Sequence, residues 1–195
     1  MDFTKARYTK FSELKRIGNW PPPDDILSIK PMWPEIKKLG NNIIGCEIGV
    51  NFGISIICSL DEIPEISKIY GIDPYIGNDG SVVLSEAEKC FIANMNDGYS
   101  NKIVFIKKTS NEAVIDIENE SLDYIFIDGL HTYEQLLMDC KNYWPKVKVG
   151  GLFCGHDWPM KDLQEAVCEF MNEFNIPREK LKITSNKEIW YWTKE

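Results

Sequence analysis

The 195-residue chain is poor in arginine and histidine, and it has no pair of cysteines at C-x-x-C spacing. With three arginines and a net charge of −8, it offers a nucleic acid little electrostatic attraction, so we expect no nucleic-acid partner. The N-terminus shows no apolar segment of signal-peptide or transmembrane length, which leads us to expect a soluble cytoplasmic protein without a membrane partner. The six cysteines are scattered through apolar runs, and this favours buried thiols over a disulfide framework or a zinc site.

Apolar sequence is ample for a core, since 44% of the residues are hydrophobic and 12% are aromatic. The length fits a single domain. Prolines at positions 21–23, 31 and 34 interrupt the first 40 residues. We therefore expect residues 1–40 to form an N-terminal extension before a domain that spans residues 41–195. Such an extension either covers a pocket as a lid or packs against the sheet without a functional role.

The stretch from Ile43 to Gly53, I-I-G-C-E-I-G-V-N-F-G, predicts a buried strand that runs into a tight turn and then a helix. Gly49 and Gly53 suit the turn, because glycine adopts positive φ freely and, lacking a Cβ, lets a ligand approach the backbone. On the glycines alone, an ordinary strand-to-helix loop explains the pattern equally well. Glu47 favours a ligand-binding turn, since its carboxylate would repel a pyrophosphate but accept hydrogen bonds from a cationic amine.

A second acid ends the next predicted strand, residues 68–73. Asp73 lies 26 residues after Glu47, about the spacing at which nucleoside-binding folds place a carboxylate on the ribose hydroxyls. An aspartate before a proline, as Asp73 is before Pro74, is also a common turn former. The spacing is what favours ribose binding over a plain turn.

Alternating strand and helix patterns continue to the C-terminus and predict a doubly wound α/β sheet. Further strands are predicted at residues 102–107, 122–128 and 150–157, helices at 81–95, from 109, from 133 and from 162, and a closing antiparallel hairpin at 181–184 and 188–193. Gly150 and Gly151 are expected to open the fifth strand. Because ligands of open α/β sheets bind beyond the carboxyl ends of the strands, the strand-end acids should converge on one crevice. These acids are Glu47, Asp73, Asp128 and Asp157.

Three motifs resemble those of class I S-adenosylmethionine (SAM) dependent methyltransferases. The pattern E-x-G-x-x-x-G, from Glu47 to Gly53, resembles the first motif of that class. F-I-D-G-L-H-T-Y-E at residues 126–134 and G-G-L-F-C-G-H-D-W at residues 150–158 resemble small O-methyltransferases related to the cation-dependent enzymes, some of which act on sugars. The resemblance covers roughly residues 40–195 and implies a Rossmann-like, seven-stranded methyltransferase sheet.

The resemblance also implies roles for single residues. The methionine end of SAM would lie at the first motif, the ribose at Asp73 and the adenine at Ser110. The cofactor-binding residues would be Glu47, Gly49, Asn51, Gly53, Asp73, Ser110 and Asp128. A divalent cation, where the enzyme uses one, would be held by Asp128, Asp157 and His156. His156 stands where the cation-dependent relatives often have another acid. Histidine favours softer transition ions, whereas carboxylates suit magnesium, so this position favours a transition ion.

Both histidines of the chain, His131 and His156, lie within three residues of a strand-end acid. An isolated histidine is usually a satisfied polar residue, but this placement favours a role in the chemistry. The expected catalytic residues are His131, Asp128 and His156. Either His131 removes the proton of the acceptor hydroxyl as a general base, or a cation at Asp128 and Asp157 lowers the pKa of that hydroxyl.

The sequence thus predicts a SAM-dependent O-methyltransferase that acts on a hydroxyl of a small molecule, with a sugar or glycan as the expected acceptor. Two alternatives stay open. A nucleotide-binding oxidoreductase would share the acid after the second strand, but its turn would read G-x-G-x-x-G, which the first motif does not. A non-catalytic SAM-binding protein would keep the fold without the base. Assembly as a homodimer is open as well.

Overall fold

The computed structural model describes residues 29–76 and 85–195. The strands of this part of the chain are β1 (Ile43–Ile48), β2 (Ile66–Ile72), β3 (Ile103–Ile106), β4 (Leu122–Ile127), β5 (Val147–Gly155), β6 (Lys182–Ile183) and β7 (Trp190–Thr193). They form one seven-stranded sheet in the order β3-β2-β1-β4-β5-β7-β6. Strands β1 to β5 pair in parallel, whereas β7 runs antiparallel to both β5 and β6. The predicted doubly wound sheet and its closing antiparallel hairpin are confirmed.

Helices cover both faces of the sheet. They are α1 (Trp33–Lys37), α2 (Ile54–Glu62), α3 (Ser85–Asn96), α4 (Ser110–Ala113), α5 (Tyr133–Tyr143) and α6 (Lys161–Glu173). Helices α1 to α3 contribute to one buried cluster, with Ile57 and Phe91, and α4 to α6 to the other, with Tyr143 and Phe170. Because both faces are covered, the central strands are apolar along nearly their whole length. None of the helices in the described ranges has the length and apolar character needed to cross a bilayer.

The segment just before β1 packs into the core of the sheet domain. Ile29, Met32 and Ile36 are buried in the same cluster as α2. The indole Nε1 of Trp33 donates a hydrogen bond to Ser59 Oγ at 3.0 Å, which fixes α1 on α2. Residues 1–28, which hold most of the predicted extension and lid, lie outside the described residues.

Threonine caps set the starts of the helices that follow β3 and β4. The Thr109 hydroxyl accepts from the backbone N–H of Glu112, whose carboxylate accepts from the N–H of Thr109, so that α4 begins with a capping box. Thr132 caps α5 by accepting from the backbone N–H of Gln135 at 3.3 Å. The two caps bring Ser110 and Gln135 to the same edge of the sheet.

Strand β5 differs from the prediction. It begins at Val147, so the expectation that Gly150 and Gly151 open it is wrong. Gly150 has a φ of 85° and lies inside the strand, where the pairing with β4 shifts register. The apolar pattern missed the first residues because Lys148 is paired with Asp123 at 2.7 Å at this edge. The first residues of the predicted helix at 81–95, residues 81–84, lie outside the described residues.

Gly49 lets the ends of β1 and β4 approach each other. Its backbone has a φ of 87°, and a Cβ built on it would lie 1.9 Å from the carbonyl oxygen of Asp128. The same approach is held by the hydrogen bond from Asp128 N to Ile48 O at 2.9 Å. Gly49 is therefore required both by its dihedral angle and by the close contact with the strand end that carries Asp128.

We predict that Gly49→Ala destabilises the protein more than Gly150→Ala does. Both glycines have nearly the same positive φ, but a Cβ on Gly150 meets nothing within 4 Å. The two variants therefore share a backbone strain of about 1–2 kcal/mol, and Gly49→Ala adds overpacking of about 1–3 kcal/mol. Urea unfolding followed by tryptophan fluorescence measures the difference in the free energy of unfolding. Equal losses in the two variants would contradict the close contact at Asp128.

Candidate functional site

A cavity of about 500 Å³ lies at the carboxyl ends of β1, β2, β3 and β4. Six of the residues predicted for the site line it: Gly49, Asn51, Asp73, Ser110, Asp128 and His131. Its volume suits a small-molecule ligand. A depression of similar volume, lined by Asn41, Glu65 and Lys102 among others, lies at the amino-terminal edge of the strands. Because ligands of open α/β sheets bind at the carboxyl edge, the cavity beside Asp73 and Asp128 is the candidate site.

Asp73 ties together the two loops that form one wall of the cavity. Its Oδ2 accepts from the backbone N–H of Asn51 at 2.9 Å, and its Oδ1 accepts from the N–H of Tyr75 at 2.7 Å. The Tyr75 hydroxyl donates to the carbonyl of Asn51 at 2.6 Å, so that Asn51, Asp73 and Tyr75 are joined by a closed set of hydrogen bonds. Burial raises the pKa of Asp73, and the backbone donors oppose that effect. The carboxylate keeps free lone pairs, so it can still accept from the hydroxyls of a ribose.

Glu47 and Gly53 lie behind the cavity wall rather than on it. Glu47 is 3% exposed and accepts a hydrogen bond from the Ser55 hydroxyl. Burial raises the pKa of Glu47 to about 8, so the group is largely uncharged at neutral pH in the free protein. Gly53 starts α2 with a φ of 71°, and a Cβ on it would lie 2.1 Å from the ring of Phe91. The two motif residues support the loop that contains Asn51.

Two aspartates and both histidines meet at the ends of β4 and β5. The Nε2 of His131 lies 3.4 Å from Asp128 Oδ1 and 3.0 Å from Asp157 Oδ2. The Nδ1 of His156 lies 3.6 Å from Asp128 Oδ1 and 3.2 Å from Asp157 Oδ1. Each histidine thus contacts both carboxylates. Asp157 adopts a φ of 56°, in the left-handed region that aspartate tolerates better than most residues with a side chain.

The charges of this cluster are strongly coupled. Hydrogen bonds to Asp128 and then to Asp157 raise the pKa of His131 to about 10, so its ring is protonated at neutral pH in the free protein. Burial alone would raise the pKa of Asp157, but hydrogen bonds from His131 and His156 outweigh burial and hold that pKa well below its usual range. The raised pKa of His131 stabilises the fold fully below its unfolded value of about 6.5. That stabilisation is lost as the pH rises towards 10.

The histidine–carboxylate separations in the cluster, 3.0–3.6 Å, are compatible with a bound metal ion as well as with hydrogen bonds. Ligands bound to a transition ion at about 2.0–2.2 Å lie roughly 3–3.5 Å from one another, close to the observed separations. Asp157 belongs to two sets of nearby donors, one with Asp128 and His131 and the other with His156 and Glu188. Nitrogen and carboxylate donors together favour transition ions over magnesium.

Glu188 is a candidate that sequence reasoning missed. It lies in the hairpin between β6 and β7, 31 residues after Asp157, and no motif surrounds it. The hairpin holds the loop after β5 by two hydrogen bonds, from Trp158 N to Glu188 O at 3.0 Å and from Trp190 Nε1 to His156 O at 3.1 Å. Glu188 therefore reaches the cluster through the tertiary structure, and no local sequence pattern indicates its position.

Gln135 also lines the cavity and was missed by sequence reasoning. Its Nε2 donates to Asp139 Oδ1 at 2.9 Å and to Ser110 Oγ at 3.1 Å. Asp139 is 1% exposed, and it also accepts a hydrogen bond from Ser110. The only signal in the sequence is the position of Gln135 in the first turn of a helix that follows a strand-end acid. The hydroxyl of Ser110 is thus engaged in a network with Gln135 and Asp139.

Comparison with known proteins gives a family match over this region. A family profile described as a methyltransferase domain matches residues 46–158. The uncharacterized protein y4gI of Sinorhizobium fredii is 23% identical over 154 residues, which make up 76% of this chain and 17% of that protein. The chain therefore spans less than one fifth of the length of this relative.

Solved structures share the fold over most of the chain. The O-methyltransferase NovP matches with a TM-score of 0.63 and 20% identity, covering 88% of this chain and 78% of that one. The precorrin-6y C5,15-methyltransferase of Geobacter metallireducens matches with a TM-score of 0.65 and 11% identity, covering 94% of this chain and 95% of that one. At these identities the likeness concerns the fold.

Proposed function

The chain belongs to the methyltransferase-domain family and has the fold of class I SAM-dependent methyltransferases, and on this basis we propose that it is an O-methyltransferase of small molecules. The proposed reaction moves the methyl group of SAM to a hydroxyl, with a sugar or glycan as the expected acceptor. The observation that carries it is the cluster of His131, Asp128 and Asp157 beside the cavity that Asp73 and Asn51 also border. The choice of a sugar rests on the motif resemblance.

Under this proposal, SAM would lie in the cavity in a single orientation. Its ribose hydroxyls would meet Asp73, and its methionine end would follow the turn from Gly49 to Asn51. The sulfonium methyl would then face Asp128 and His131, where an acceptor can approach in line. Holding the two reactants in this alignment is the main contribution of the protein, because orientation can supply roughly 7–11 kcal/mol of the barrier.

The acceptor hydroxyl must lose its proton, and His131 is the proposed base. In the free protein the ring holds a proton between Asp128 and Asp157. A positive sulfonium bound in the same cavity would disfavour the imidazolium form of His131. The pKa of His131 would then fall, and its ring could accept a proton. A divalent cation, if bound, would be held by Asp128, Asp157 and His156 and would lower the pKa of a hydroxyl next to it. Glu188 is placed to contribute to that set.

Binding and turnover of SAM test the proposed function directly. SAM or S-adenosylhomocysteine at about 100 times Kd should stabilise the fold by about 2.7 kcal/mol, a Tm rise of about 5–10 °C for a chain of this size. NAD at the same concentration should give no rise. Mass spectrometry of reactions with SAM and a panel of sugars, nucleotide sugars and phenols should then reveal a product heavier by one methylene. An unchanged Tm with both SAM and S-adenosylhomocysteine would contradict the proposed function.

Removal of divalent cations separates the two modes of activation. If Asp128, Asp157 and His156 hold a cation, dialysis against EDTA should abolish turnover while the Kd for SAM stays nearly unchanged. Manganese, cobalt or nickel should restore activity at least as well as magnesium, because the donor set contains imidazole nitrogen. Calorimetric titration of the EDTA-treated protein with manganese reports cation binding independently of activity. Full turnover in EDTA would leave His131 as the activating group.

Replacing His131 by alanine tests its role as the base. His131→Ala should lower kcat by about 10²–10⁴, the usual contribution of a general base, and leave the SAM-induced Tm rise intact. The loss should be smaller for phenols, whose hydroxyl is already acidic. The control is Glu134→Ala. Glu134 is an exposed residue in the first turn of α5, so this variant should keep a kcat near that of the wild type.

Added imidazole gives a second readout for the same variant. The His131 side chain is 48% exposed, so free imidazole can reach the vacated position and should restore part of the lost kcat. A variant that binds SAM more weakly in proportion to its lost activity, or that turns over at the wild-type rate, would make His131 a structural residue.

A further inference from the structure

We propose that Gln135 recognises the amino group of the cofactor's adenine, and that Asp139 and Ser110 act as positioning residues that hold its side-chain amide in the required orientation. This inference rests on the proposed SAM site and names the residue that determines purine specificity there. It assigns a function to a polar network that the proposed methyl transfer leaves unused.

The cavity offers three polar regions, and two of them suit other parts of SAM. Asp73 presents free acceptor capacity for a ribose, and Asp128 with His131 lies at the reacting end. Gln135 and Ser110 form the remaining polar region of the cavity wall. With the methionine end at the turn from Gly49 to Asn51, the adenine is the part of SAM left to meet them. Ile76 and Leu130, each 43% exposed, also line the cavity and offer apolar surface for the faces of a ring.

The orientation of the Gln135 amide follows from its neighbours. Burial raises the pKa of Asp139 to about 6, so at pH 8 this carboxyl is ionised and can only accept hydrogen bonds. The nitrogen of Gln135 must therefore face Asp139, as its 2.9 Å contact requires. Its second N–H is directed to Ser110 Oγ at 3.1 Å, while the Ser110 hydroxyl proton goes to Asp139. Both amide protons are used within the network.

The carbonyl Oε1 of Gln135 remains as the group that can accept a hydrogen bond from a ligand. Its contact with Asn111 Nδ2 is long, at 3.5 Å, and a carbonyl oxygen can accept two hydrogen bonds. An acceptor fixed in this way selects a ligand donor, and the exocyclic amino group of adenine is such a donor. Hypoxanthine carries a carbonyl oxygen in place of that amino group. It would bring two acceptors face to face and leave both without a proton.

The test compares S-adenosylhomocysteine with S-inosylhomocysteine, which differs only in having hypoxanthine for adenine. Isothermal titration at pH 8 should give the wild-type protein a Kd about 10- to 100-fold lower for the adenosyl compound, the range expected when a buried polar group loses its partner. In Gln135→Leu the two Kd values should fall within about threefold of each other. Asn142→Leu is the matched control, because it makes the same amide-to-leucine change on the same helix. The Asn142 side chain donates to Asn111 Oδ1 at 3.1 Å and does not line the cavity. This variant should keep the wild-type ratio.

The outcomes separate this inference from the proposed function. A wild-type protein that binds neither compound overturns the SAM site, and the role of Gln135 with it. A wild-type protein that binds both equally well, or a Gln135→Leu variant that keeps the wild-type ratio, overturns the role of Gln135 and leaves the SAM site standing. The wild-type comparison requires no substitution, so equal binding of the two compounds overturns the role of Gln135 even if Gln135→Leu fails to fold. Ser110→Ala, which frees one amide proton, should give an intermediate ratio.

Discussion

The crowding of carboxylates at one edge of the sheet is the constraint on which this site depends. Parallel strands bring their carboxyl ends to the same edge, and five acids of the described ranges gather on or behind one cavity: Glu47, Asp73, Asp128, Asp139 and Asp157. Like charges removed from water destabilise a fold unless each is compensated. The means of compensation differs from one acid to the next, and that difference indicates what each group can do.

The buried acids are compensated by neutral groups or by a proton. Asp73 accepts from backbone N–H groups, and Asp139 accepts from an amide and a hydroxyl, so both can stay ionised within a fixed frame. Among the described residues, Glu47 accepts a hydrogen bond from the hydroxyl of Ser55 alone, and burial keeps it largely protonated near neutral pH. A carboxylate held by neutral donors retains its charge and can orient a ligand or another side chain. A protonated one cannot attract a cation, and so Glu47 acts chiefly as support for the loop in the free protein.

Much of this arrangement could be predicted from the sequence, because it follows from local pattern. The apolar runs, the acids that end them and the caps after β3 and β4 all lie within a few residues of one another, and the sheet order brings the strand ends together. Gln135, Asp139 and Glu188 could not be predicted, since each reaches the site through tertiary packing of a helix or hairpin. The burial of Glu47 and Gly53 also depends on packing, against Ser55 and Phe91. A motif specifies which residues lie at a turn but not which of them face the cavity.

Asp128 and Asp157, at the ends of β4 and β5, differ from the other acids because a charged group, the protonated imidazole of His131, compensates their charge. Protonated imidazole is itself exchangeable: a metal ion, or the loss of the proton when a second positive charge arrives, can replace it. The side chains of His156, Asp157 and Asp128 are 18%, 23% and 26% exposed, whereas His131 is 48% exposed. A proton taken from an acceptor must finally reach solvent, and of these groups His131 has the most direct path to it. His131 is therefore the member of the cluster best placed to exchange a proton with solvent, while the less exposed members hold its ring in place and set its charge.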